Sequence, residues 1–202
     1  MQIMILKKIS FLIQATILSI FCFQLPAFSD EAGQVVKERK ADSQVASRIH
    51  LVNEMEIKMG KMAREKGTTA DVTNFGERLM KDHAAADKEL MKVVSDMNLK
   101  LTSRPVASSA AEIGFNRDTK ELMRKLQAST GDNFNQAFLK GMMSGHQQFI
   151  SQMKVTAHEL PDSQLKTYIS DTLIPNLHEH YDIAMTLENR MFAQSAQNQP
   201  SS

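Results

Sequence analysis

Four side chains combine types and spacing that could do chemistry at one point: Glu56, His83, His146 and His180. Each interrupts an apolar stripe near the middle of a different long helical segment. Burying an ionisable group is costly unless it finds a partner, so four such interruptions that converge would form a site. One carboxylate and three imidazoles make a hard-to-borderline donor set, suited to a zinc, copper or non-haem iron ion. Asp87 follows His83 by one helical turn on the same face, where it could act as a fifth ligand or orient an imidazole. The same groups would equally serve as a polar core that only fixes helix register. Types and spacing leave both readings open.

Their neighbours read as less involved. Asp82 and Glu179 precede His83 and His180 but point about 100° away around the helix. His178 projects from another face of its helix, and His50 and His158 fall near expected helix ends, so all three read as surface residues. Met55, Met59 and Met62, with Met142 and Met143, could bind Cu(I) through their thioethers, but methionine at helical spacing is ordinarily adaptable core filling. Motifs for a phosphate loop, a nucleophile elbow, an H-E-x-x-H zinc site or a calcium loop are absent, so neither nucleotide nor flavin is expected.

The elements that must hold the four groups are all helical. The first long helix is expected from an N-cap at Ser43 to Lys66, stopped by Gly67, with the stripe Val45, Ile49, Val52, Glu56, Met59, Ala63. The second follows an N-cap at Thr69 and continues to about Asn98, with Val72, Gly76, Leu79, His83, Ala86, Leu90, Val93 and Met97 in bundle-type spacing. Only "GTT" separates the two, which implies an antiparallel hairpin. A crossover loop over 99–109 precedes a shorter helix over 110–128. The third long helix is expected over 132–160, capped by Thr130 or Asp132, with Phe138 or Leu139, Met142, His146, Phe149, Ile150 and Met153 on its face. The fourth is expected over 162–192, its face carrying Leu165, Ile169, Leu173, Asn176, His180, Ile183, Leu187 and Met191. Pro175 should kink or break it, because its ring displaces the carbonyl of Asp171. Two hairpins joined by a long connection with an extra helix give an all-α chain with the connectivity of a ferritin-like antiparallel four-helix bundle. In such a bundle the helix middles meet.

The ends carry other information. Residues 1–29 read as a secretory signal peptide: Lys7 and Lys8 head an apolar run, and Ala27 and Ser29 offer a small-residue cleavage site before Asp30. A retained membrane anchor is the alternative, since the run approaches the roughly 20 residues needed to span a bilayer. The sole cysteine, Cys22, lies within that run, so the cleaved chain has no disulfide, thiolate ligand or thiol nucleophile. Export without disulfides fits a bacterial periplasm. Residues 30–42 are charged without an apolar period and read as a flexible arm, 43–193 as the bundle domain and 194–202 as a disordered tail. Losing Lys7 and Lys8 takes the formal charge from +1 to −1. With acids and lysines interspersed and no tryptophan, nucleic acid is not an expected partner.

The segments "EIKMGKMAREKG", "FGERLMKDH", "FNQAFLKGMMSGH" and "IPNLHEHYDIA" resemble the exported bacterial family known as domain of unknown function 4142, a relative of ferritin-like bundles. The resemblance covers about residues 45–190. It implies an all-helical exported protein, with the family's polar signature on Glu56, the Asp82–His83 pair, His146, and His180 after Pro175. Two departures stand out. Asn135 occupies a position that is often acidic in the family. Met80 and Leu177 stand where a di-iron site would place a Glu three residues before each His, which points to a mononuclear or vestigial site and away from a ferroxidase centre. Three functions remain in view: metal handling or envelope protection at one transition-metal ion, a non-catalytic module acting through an envelope partner, and a metal-dependent oxidoreductase.

Overall fold

The computed structural model describes residues 28–197, and no strand occurs among them. Helix α1 spans Phe28–Lys66, α2 Ala70–Asp96, α3 Ala110–Ala128, α4 Gly131–Glu159, α5 Gln164–Tyr168 and α6 Ile174–Gln197; a π-helical turn, Ile169–Leu173, joins the last two. The expected signal peptide lies, up to residue 27, outside the described residues, as do the last five residues of the expected tail. No helix among the described residues is long and apolar enough to cross a membrane.

Side-chain caps set three of the helix starts. Thr69 accepts from the Val72 amide at 3.3 Å, Ser109 from Glu112 at 3.2 Å and Ser163 from Lys166 at 3.2 Å, each satisfying a donor that the first turn would leave orphaned. Thr130 occupies the cap position of α4 without such a bond. Helix α2 ends two residues before the expected Asn98. Asn98 adopts φ +51°, the Leu99 amide reaches back to the Val94 carbonyl and the Asn98 amide to that of Ser95, the paired bonds of a Schellman cap.

Three expectations are corrected. Residues 30–42, expected to be a flexible arm, are part of α1. Their polar composition hides them from a periodicity argument, yet Glu, Gln, Lys, Arg and Ala are good helix formers that prolong a helix already nucleated below. Residues 33–41 stay exposed. Ser43 is therefore no N-cap; it lies inside α1, and its hydroxyl accepts from the Lys100 amide at 3.2 Å, tying the crossover loop to the helix. The tail likewise remains helical to Gln197. The break expected at Pro175 is real but takes the form of the π turn, in which the Ile174 amide bonds to the Ile169 carbonyl. That longer loop absorbs the amide that proline lacks.

Helices α1 and α2 run antiparallel, as do α4 and α6, while α3 packs on α4 and α1. Gly60 and Gly76 face each other where α1 crosses α2: a Cβ on either would lie 2.6 Å from the other's carbonyl oxygen. Asn135 clasps the hairpin loop, accepting from the Thr68 amide at 3.1 Å and donating to its hydroxyl at 2.6 Å. An acid at this position could accept but not return the donation.

The fully buried core falls into two clusters, with the half-buried Met55 packing against both. One apolar cluster gathers Val45, Ile49, Val52, Leu90, Phe149, Met153, Leu173 and Leu177. A second gathers Met59, Ala63, Phe75, Leu79, Phe138, Met142, Ala184 and Leu187. Along every one of α1, α2, α4 and α6 the change from one cluster to the other falls at the same level, and the buried residues there are polar: Asn53, Glu56, His83, His146 and His180.

Candidate metal centre

The imidazoles of His83, His146 and His180 enter this layer from α2, α4 and α6. They are 2%, 1% and 1% exposed. One nitrogen from each lies within 4.8 Å of the other two, and the ring centroids are 5.0 to 6.0 Å apart. Phe75 closes one side, its ring edge-on to His180 at 6.3 Å.

Each ring has one nitrogen engaged and one free. His83 Nδ1 lies 3.0 Å from Asn53 Oδ1, His146 Nδ1 2.8 Å from the Met142 carbonyl, and His180 Nε2 3.0 Å from Asp82 Oδ2. All three partners are acceptors, so these are the nitrogens that carry the proton. The opposite atoms, His83 Nε2, His146 Nε2 and His180 Nδ1, are buried with no hydrogen-bond partner. They are therefore the lone-pair nitrogens, the form in which histidine binds a metal. Three orphaned lone pairs in one enclosed layer fit a cation that accepts them all.

The electrostatics keep the rings neutral. Burial pushes His83 well below the usual imidazole range, and the neighbouring His146 and His180 push it further. Burial takes His146 down to about 3, with His180 adding to it. His180 is lowered by burial as well, although its bond to Asp82 opposes the shift. Asp82 is drawn up by burial, but the bonds to His180 and Arg78 outweigh that and leave it below the usual carboxylate range.

Glu56 stands outside the group whose donor atoms lie within 4.8 Å of one another. The residue is 6% exposed, Oε2 has no hydrogen-bond partner, and burial raises the carboxyl pKa to about 8. Asp87 sits one contact further out than a ligand or its direct partner would. It accepts from Asn53 Nδ2 at 3.3 Å and pairs with His50 Nδ1 at 2.8 Å. It thereby fixes the Asn53 amide with its oxygen toward His83. His50 is accordingly half-buried and paired, while His158 and His178 are exposed. The methionines fill core: Met59 and Met142 are buried, and Met55, Met62 and Met143 pack against the clusters.

Sequence reasoning missed Asn53 and the reach of Asp82. Asn53 lies four residues after Ile49, on the buried face, and could have been found by widening the stripe. Asp82 crosses to His180 on α6, and Arg78, one turn earlier on α2, holds it at 3.2 Å while bonding Glu179 of α6 at 2.5 Å.

The family described as domain of unknown function, DUF4142, matches residues 27–187. The chain belongs to that family. No curated protein and no solved structure matches it. The positions carrying the DUF4142 resemblance, Asp82, His83, His146 and His180, are thus the ones that meet in the layer, with Glu56 buried at the same level. The three buried histidines could together hold a metal ion.

Proposed function

We propose that this DUF4142 chain is an exported protein with a ferritin-like antiparallel four-helix bundle that binds one zinc, copper or iron ion at mid-height. Its role would be metal handling or protection of the envelope. His83, His146 and His180 would be the ligands. Glu56 would offset the ion's charge, because three neutral imidazoles leave a buried divalent ion uncompensated. Such an ion supplies Lewis-acid or, for copper and iron, one-electron chemistry. Glu56 is the only acid among the buried polar residues of this layer, which favours one ion over two.

The observation that carries the reading is the tautomer pattern: each imidazole is locked by a different acceptor, with the free lone pair buried. A polar core that merely fixed register would bond each ring to a neighbouring helix. His146 instead bonds only a carbonyl of its own helix.

The test is elemental analysis of untagged protein beside a His83→Ala/His146→Ala variant. One equivalent of metal in the parent and none in the variant is expected. A saturating metal that binds only the folded state should raise stability by about 2.7 kcal/mol at a hundredfold excess over Kd. No stoichiometric metal, with no thermal shift on adding zinc, copper or iron, would overturn the reading.

A further inference from the structure

Away from the metal centre, a groove of about 1400 Å³ opens between the N-terminal half of α1, the start of α3 and the C-terminal half of α4. Its lining includes apolar Val45, Val106, Val155 and Leu160, with Val106 and Val155 more than half exposed. The volume exceeds the roughly 300–1000 Å³ of small-molecule sites. Small residues, Ser109, Ala111, Gly114 and Ser151, line it as well, and a Cβ built on Gly114 would meet nothing within 4 Å. The backbone of an incoming segment could therefore approach closely.

The charge in the groove is one-sided. Asp42 lines it and is only 7% exposed, and it makes no ion pair among the described residues. Glu38, one turn earlier on α1, and Glu159, at the end of α4, line the same groove. The one basic residue of the lining, Arg48, is taken by an ion pair with Glu112. Partial desolvation with a like charge nearby disfavours the ionised form, and burial together with Glu38 drives the Asp42 pKa upward. An incoming Lys or Arg would favour that form.

We propose that this groove docks an amphipathic α-helix of a partner protein, with an apolar face toward Val45, Val106 and Val155 and a Lys or Arg toward Asp42. A helix is the occupant because an extended segment would bury unpaired backbone groups here, where no strand edge is available among the described residues. The site is independent of the metal centre.

Fluorescence anisotropy of the purified chain with two labelled synthetic helices tests this. One helix has leucine on one face and lysine on the other; its counterpart carries glutamate for lysine. The Leu/Lys helix should bind and the Leu/Glu helix should not. Asp42→Asn should weaken binding by about tenfold, below the loss for a fully desolvated charge pair because the Asp42 carboxylate is partly solvated. Gly114→Leu should abolish binding while the melting temperature holds or rises, since its side chain enters the groove from a helix that glycine weakens. Equal binding of both helices, no binding of either, or binding indifferent to both substitutions would overturn the proposal. So would a dimer of the chain alone that Gly114→Leu dissociates, which would assign the groove to a second copy.

Discussion

Asn53 on α1 and His83 on α2 meet through one hydrogen bond, Oδ1 to Nδ1 at 3.0 Å, at the level where both apolar clusters end. The asparagine is wholly buried, and its amide passes the orientation set by Asp87 to the imidazole. Replacing Asn53 with Ala orphans the His83 N–H in a buried layer, at a cost of about 1–3 kcal/mol. Metal affinity should fall about 10- to 100-fold, as when a ligand's outer hydrogen-bond partner is lost. Chemical denaturation and metal titration, run on the same samples, check both numbers.

His146→Leu separates ligation from packing. In metal-free protein the change removes a buried nitrogen that bonds nothing and puts a hydrocarbon in its place, so stability should hold or rise. The stabilisation seen on adding metal should vanish. Melting curves with and without chelator decide it, and a variant that still responds to metal would mean His146 is not a ligand.

The metal-free protein should be most stable near pH 6.5. The folded state keeps a proton on Glu56 up to about pH 8, whereas the unfolded chain releases it near 4.5. Stability from this group is therefore lost as pH rises through that range. His146 runs the other way: the unfolded chain protonates it near 6.5 and the folded state only near 3, so stability is lost as pH falls below 6.5. His83 and His180 shift in the same direction, and together the histidines outweigh Glu56 on the acid side. From pH 6.5 to 8 Glu56 acts alone, at about 2 kcal/mol. Glu56→Gln should flatten that alkaline decline, and urea titrations in chelator across pH 5–8.5 would show whether it does.

The α1–α2 crossing should be intolerant of a single methyl group. Gly76→Ala places a Cβ 2.6 Å from the Gly60 carbonyl oxygen and 2.7 Å from the Ala63 Cβ, which forces the helices apart at a cost of about 1–3 kcal/mol. Gly145→Ala is the control. Its Cβ meets nothing within 4 Å, so it should gain about 0.5–1 kcal/mol from helix propensity. Similar melting temperatures for the two variants would rule out the close approach.

The convergence of His83, His146 and His180 was legible because an antiparallel arrangement brings helix middles together, and each histidine broke a stripe that otherwise read cleanly. Asp82 was not legible for a geometric reason. A residue about 100° from the core-facing direction faces the adjacent helix rather than water when helices pack side by side, and α6 is that neighbour. The N-terminal turns of α1 escaped because a helix that is polar all round carries no period. The π turn was visible only as a proline; which way the chain would accommodate it depended on packing that no local pattern encodes.

The level that separates the two apolar clusters also sets how the molecule can come apart. Four helices cross it, yet apart from Met55, which packs against both clusters, the buried side chains there offer hydrogen bonds and lone pairs in place of hydrocarbon. Cooperativity between upper and lower halves is thinnest at that plane, so the halves can open as separate units in amide exchange. A ligand shared by three helices would fuse those units into one, and exchange protection on both sides of the plane would then report occupancy without any view of the ion itself.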